Sequence, residues 1–236
     1  MKANGYYNEK VINKFMDAFD AAKEEVKAGA DLKVRISAAN SKMGNVASVS
    51  TLPFLTCPGC AGSTCGKKCY AAKLANLRPS VLKSYAINTA IARERPDLYW
   101  KQVDAAAAAV RFFRFHVSGD IIDSKYFENM VQVVRNNSKT EFLCFTKRFK
   151  VVNRWIAAGN TIPENLHLLF SGWENLVPEN PYKLPETDVV PKDFSGAWWD
   201  MEDGWQMCGG NCFECAITGA GCWTAKAGET ILFRIH

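Results

Sequence analysis

Phe112-Phe113-Arg114-Phe115-His116-Val117, Glu141-Phe142-Leu143-Cys144-Phe145 and Leu166-His167-Leu168-Leu169-Phe170 are three short apolar runs. Each has the length and the aromatic or branched content of a β-strand. Ser124 to Asn136 lies between the first two and Phe149 to Ala158 between the last two, both with apolar residues at helical spacing, the second ending at Gly159. Strands alternating with helices in this way predict βα units and a parallel sheet. Such sheets bind ligands at the C-terminal ends of their strands, where the loops into the helices emerge. Here those ends read Ser118-Gly119-Asp120, Thr146-Lys147-Arg148 and Ser171-Gly172-Trp173-Glu174-Asn175. All three turn polar. The expected fold is α/β, an incomplete or modified (β/α) TIM-like barrel whose strand ends at Ser118, Thr146 and Ser171 converge.

Outward from this centre the pattern loosens. Upstream, Asn8 to Ala28 reads as an amphipathic helix through Val11, Ile12, Phe15, Met16, Phe19, Ala22 and Val26. Lys33 to Ser37 and Val46 to Ser50 read as strands of a hairpin or strand-loop region. Pro79 starts a helix to Arg95, and Pro96 starts another to Val110. Downstream, Pro178 to Gly228 is rich in Pro, Gly and Trp and short of periodicity, and a last strand runs from Thr230 to Ile235. The expected division is residues 1–177, a helix plus partial barrel, and residues 178–236, an irregular segment that folds back on it.

Eight of the nine cysteines fall into two blocks, Cys57-x2-Cys60-x4-Cys65-x3-Cys69 and Cys208-x3-Cys212-x2-Cys215-x6-Cys222. With 236 residues and 48% hydrophobic content, the chain can bury a core without disulfide staples. Grouped thiolates on loops then point to metal. Cys57-x2-Cys60 and Cys212-x2-Cys215 would each serve as a zinc knuckle, whereas Cys65, Cys69, Cys208 and Cys222 fit zinc spacing less well. Glycine-rich loops with irregular cysteine spacing suit an iron–sulfur cluster, because their backbone N–H groups donate to sulfur. Gly59, Gly62, Gly66, Gly209, Gly210, Gly219 and Gly221 supply such loops. The expected cofactor is an iron–sulfur cluster, [4Fe–4S] above all, either as two clusters, one per block, or as one larger shared assembly. Cys144, in an apolar strand, is expected to be a buried structural thiol.

The N-terminal residues lack an apolar run and no stretch is long enough to span a bilayer, so a cytoplasmic protein without membrane attachment is expected. A net charge of +5 permits an anionic ligand or nucleic acid, but no nucleic-acid motif accompanies it.

Cys65-Gly66-Lys67-Lys68-Cys69-Tyr70-Ala71-Ala72-Lys73, Phe145-Thr146-Lys147-Arg148 and Asn165 to Asn175 resemble segments of a phage-associated branch of the radical-SAM-like barrel proteins. The set Cys57-Pro58-Gly59, Ser118-Gly119-Asp120, Phe145 to Arg148, and Cys212, Cys215, Cys222-Trp223 is more similar still to the phage gene product eighty-eight family. The resemblance runs in order from about residue 50 onward. It implies an iron–sulfur barrel, a radical-SAM-like and redox-active protein with a small-molecule or electron-transfer partner. The motif Cys57-x7-Cys65-x3-Cys69 departs from the Cys-x3-Cys-x2-Cys of radical-SAM enzymes. A cluster held by four thiolates has no open iron, so SAM is not an expected tight ligand unless one iron lacks a protein thiolate. The alternative is a structural-zinc binding module for nucleic acid.

Asp120, Lys147, Arg148 and Glu174 are the candidate catalytic groups, and Ser118, Asp120, Lys147 and Arg148 the candidate cofactor contacts. Asp123 or Ser124 is expected to cap the next helix. His116 is expected to be a hydrogen-bonded core histidine. Trp198, Trp199, Trp205 and Trp223 are expected to shield a cluster or pack the C-terminal segment onto the barrel.

Overall fold

The computed structural model describes residues 5–29, 31–40, 42–59, 63–195, 199–200 and 204–235, with backbone alone for Trp199 and Asp200. Asn8 caps helix α1 (Glu9–Lys27), its side chain accepting from the Val11 amide at 3.1 Å. Strands β1 (Ile36–Ser37) and β2 (Ala47–Val49) pair antiparallel. Helices α2 (Thr64–Lys67), α3 (Tyr70–Leu77), α4 (Pro79–Glu94) and α5 (Pro96–Ala108) follow. Then come β3 (Phe112–Phe115), α6 (Ser124–Asn136), β4 (Glu141–Thr146), α7 (Phe149–Ala157) and β5 (Leu166–Ser171). The chain continues through β6 (Glu186–Val190), β7 (Trp199–Asp200), β8 (Trp205–Met207), α8 (Cys212–Thr218), a 3-10 turn (Gly221–Trp223) and β9 (Thr230–Arg234).

Among the described residues, nine strands form one sheet in the order β1-β2-β3-β4-β5-β6-β9-β8-β7. Neighbours from β2 through to β8 run parallel, and the edge strands β1 and β7 run antiparallel to theirs. This is the α/β, mostly parallel sheet that the alternation predicts. Side chains alternate across it. Phe113, Phe115, Phe142, Cys144, Leu168 and Phe170 share one core with the buried faces of α1, α4, α5, α6 and α7. The intervening residues Phe112, Leu143, Leu169 and Ile231 form a second core with Met43, Val46 and Trp223. The long helices therefore cover one face, and the second cysteine segment covers the other. Among the described residues, no helix is long and apolar enough to cross a membrane.

Two expectations need correction, and one helix lies where none was expected. The segment after Pro178 is not irregular throughout, because β6 and β8 both join the sheet beside β9. Its strands are short and carry Glu186, Thr187 and Asp188, so they show no apolar run. Residues 70–77 form a helix, α3, with Cys69 at its N-cap; the cysteine spacing masked its periodicity. His116 lies one residue past β3 with φ +59° rather than inside the strand, in a left-handed conformation that histidine tolerates.

Candidate metal centre and strand-end cluster

The C-terminal ends of β3, β4 and β5 meet around Asp120. Its Oδ1 accepts from Thr146 Oγ1 at 2.6 Å and from the Ile121 amide at 2.7 Å, and its Oδ2 accepts from the Lys147 amide at 2.9 Å. Lys147 Nζ donates to Ser171 Oγ at 2.6 Å, which carries the network to β5. Arg148 donates to the Ile122 carbonyl at 3.1 Å, while its Nε is buried without a partner. Asp120 is 5% exposed. Burial pushes its carboxyl upward, and the Thr146 hydroxyl, the Lys147 and Ile121 amides and the Lys147 charge pull it back. Asp120 thus has the geometry of a buried junction between strands. Ser118 is buried beside the Tyr85 hydroxyl, but its Oγ has no hydrogen bond of good geometry. Glu174 is exposed, in a shallow recess with Lys68, Trp173 and Val189.

The same junction holds the first cysteine loop. Thr56, next to Cys57, accepts from the Asp120 amide at 3.2 Å and pairs with Thr51 at 3.1 Å. Asn175 Oδ1 accepts from the Thr64 amide at 3.2 Å and ties the loop after β5 to α2. Cys69 Sγ accepts from the Ala72 amide at 3.4 Å as the cap of α3. Burial pushes the Cys69 thiol up to about 12; Cys65 and Cys57 add to this, and the Ala72 amide opposes it. Cys57, Cys65 and Cys69 therefore share one electrostatic neighbourhood. Cys60 and Gly62 lie outside the described residues.

The second block sits on the opposite side of the sheet from the long helices. The Cys208 amide donates to the Leu232 carbonyl at 2.8 Å, and the Gly210 amide to Cys208 Sγ at 3.4 Å. Asn211 caps α8, accepting from the amides of Phe213 at 3.0 Å and Glu214 at 3.3 Å. The Phe213 amide also reaches the Met43 carbonyl at 3.0 Å. A Cβ on Gly44 would stand 2.7 Å from that of Phe213, so the loop needs glycine there. Trp223 Nε1 donates to the Cys212 carbonyl at 2.9 Å, and its ring meets Phe112 and His167 edge to face. His167 in turn pairs with Glu141 at 2.9 Å. Trp223 is buried and packs the segment onto the sheet. Trp205 is half-buried, and Trp198 and the side chain of Trp199 lie outside the described residues.

Burial raises the thiols of Cys208, Cys215 and Cys222, and mutual repulsion raises them further. Cys212 acts on all three, and Cys208 on Cys215 and Cys222. Four thiols close enough to repel one another as thiolates need a positive centre to stay deprotonated together. Cys208, Cys212, Cys215 and Cys222 are all free thiols. Among the described residues, no three His, Cys, Asp or Glu side chains are close enough to hold one metal ion. The fit to a thiolate-bound metal group is therefore one of donor type and neighbourhood. Gly209 and Gly221 border Cys215 Sγ, and Gly210 already donates to Cys208.

Two residues between the blocks carry no signal in the cysteine spacing. Arg114 Nη1 lies 3.7 Å from Cys212 Sγ, and its charge acts on Tyr70, Cys208 and Cys222. Tyr70 donates its hydroxyl to the Val117 carbonyl. It is 53% exposed, yet burial of its hydroxyl end pushes its pKa to about 12. Its ring faces open space while its hydroxyl sits deep. The one hint of Arg114 in the sequence is a cation within an aromatic strand.

His116 is buried, with Nε2 3.0 Å from the Tyr126 hydroxyl and Nδ1 3.9 Å from Cys144 Sγ. Asp123 caps α6, accepting from the Tyr126 amide at 2.8 Å.

No curated protein and no solved structure matches the chain. Residues 15–197 match the Gene product 88 family, a span that contains the first cysteine block and the Ser118, Thr146 and Ser171 strand ends and stops short of Cys208. The chain belongs to the Gene product 88 family.

Proposed function

We propose that the chain is a redox-active iron–sulfur protein of this phage family with a radical-SAM-like partial barrel. Cys208, Cys212, Cys215 and Cys222 hold a four-iron cluster, and Cys57, Cys65 and Cys69 serve a second site. The observation that carries this reading is the gathering of four half-buried cysteines, whose thiolates would repel one another, on the sheet face that the long helices leave uncovered. A parallel sheet with its long helices on one face supports the barrel reading, since that is how a (β/α) barrel is wound. The strongest charge effects on each block's thiols come from within that block, which favours two sites over one shared assembly. When bound, a cluster of this kind supplies one-electron transfer.

The protein's own groups supply the setting. The Gly210 amide donates to Cys208, the Ala72 amide to Cys69, and Trp223 keeps water from the Cys212 side. Lys147, held by Ser171, and Arg148 form the cationic rim of the strand ends. Four thiolates at the second block leave no open iron there, so SAM is not a tight ligand of that site.

Anaerobic purification followed by iron and sulfide analysis tests the reading. The expected protein is brown, with charge-transfer absorbance near about 400 nm. Cys212→Ser and Cys215→Ser should lose iron and the EPR signal of the second site, and Cys69→Ser those of the first. A colourless protein with stoichiometric zinc would instead establish the structural-zinc module.

A further inference from the structure

We propose that Arg114 is the counter-charge of the second cysteine block, a positioning residue that raises the potential at which a cluster held there accepts an electron. This inference rests on the iron–sulfur reading above. Arg114 stands in the third position of β3, with Nη1 3.7 Å from Cys212 Sγ and 3.6 Å from Met43 Sδ. Its guanidinium carbon lies 4.6 Å from the centre of the Phe145 ring. Its Nε is buried and has no hydrogen-bond partner. Among the described residues, no carboxylate forms an ion pair with it.

A half-buried guanidinium gives up hydration that a nearby anion must replace. Here its neighbours are two sulfurs and an aromatic face, and Cys212 becomes a strong partner only as a thiolate. The same charge favours the thiolates of Cys208 and Cys222. A four-thiolate cluster is anionic, and one electron from a one-electron donor adds a unit of negative charge without making or breaking a bond. A fixed cation stabilises the more negative state more, so it raises the potential.

The test compares wild type, Arg114→Gln, Arg114→Lys and Arg114→Met, all purified anaerobically. Iron content is read first and the reduction potential by EPR-monitored titration second. Arg114→Gln is expected to load iron, with its reduction equilibrium shifted at least tenfold toward the oxidised form, about 59 mV downward for a one-electron couple. Arg114→Lys should stay close to wild type because it keeps the charge, and Arg114→Met should shift the same way as Arg114→Gln. If wild type holds no iron, the iron–sulfur reading itself fails. If iron is present and Arg114→Gln matches wild type, only the role of Arg114 fails. Should Arg114→Gln not fold, Arg114→Met decides: a downward shift supports the inference and an unchanged potential overturns it.

Discussion

At Gly119 the backbone passes through φ +80°, and a Cβ there would lie 2.0 Å from Thr51 Oγ1 and 2.7 Å from Thr56 Oγ1. Gly119→Ala is expected to destabilise the fold by about 3 kcal/mol, combining left-handed strain with overpacking, as read from urea unfolding. A cost below one third of that would show that the threonines yield freely. His116 makes a different prediction. Burial, reinforced by the Arg114 charge, pushes its pKa down to about 3 from 6.5. The fold excludes a proton that the unfolded chain binds, so this stability is full above pH 6.5 and is lost as pH falls toward 3. His116→Gln should flatten the acid side of the stability profile, and parallel profiles for the two proteins would refute this. Both positions show what a sequence reveals of single residues. Ser118-Gly119-Asp120 is legible as a polar strand end. That Asp120 is buried and bonded to Thr146, Lys147 and Ile121 depends on two other strand ends, which no local spacing encodes.

Helix α8 and the 3-10 turn are held less by their own length than by Trp223, which joins the Cys212 carbonyl to Phe112 and His167. Trp223→Ala is expected to cost about 3–5 kcal/mol, as for other buried large-to-small changes. It should also speed amide exchange across Cys208 to Thr218 more than across α6. Uniform exchange would mean that the segment is anchored elsewhere. At the other pole, Asp123→Ala removes the cap of α6 and should cost about 1 kcal/mol by thermal unfolding. Elements with strong periodicity were readable in advance: α1, α4 to α7 and β3 to β5 lie within a residue or two of where their apolar spacing puts them. β6 and β8 were not, because β6 opens on the polar run Glu186-Thr187-Asp188 and β8 is only three residues long. The strand partners, not the residues within them, make them strands.

On the proposed iron–sulfur reading, metal and fold are coupled across the whole molecule. Burial raises the thiols of Cys208, Cys215 and Cys222, so metal uptake must release protons and weaken as the medium is acidified. Titration calorimetry in two buffers of different ionisation enthalpy should show this release. Its absence would mean that the thiols are already ionised. The place of β9 between β6 and β8 has a further consequence, one of timing. During synthesis the four thiols of the second block leave the ribosome before Thr230–Arg234, the strand that fixes β8 to the sheet. There is therefore an interval in which the thiols exist but the lid they sit on is unfastened, and an incoming metal needs no opening of a finished protein. On the iron–sulfur reading, refolding in the presence of iron and sulfide should load the second block faster than adding them afterwards, and equal rates would mean that the finished segment admits them as readily.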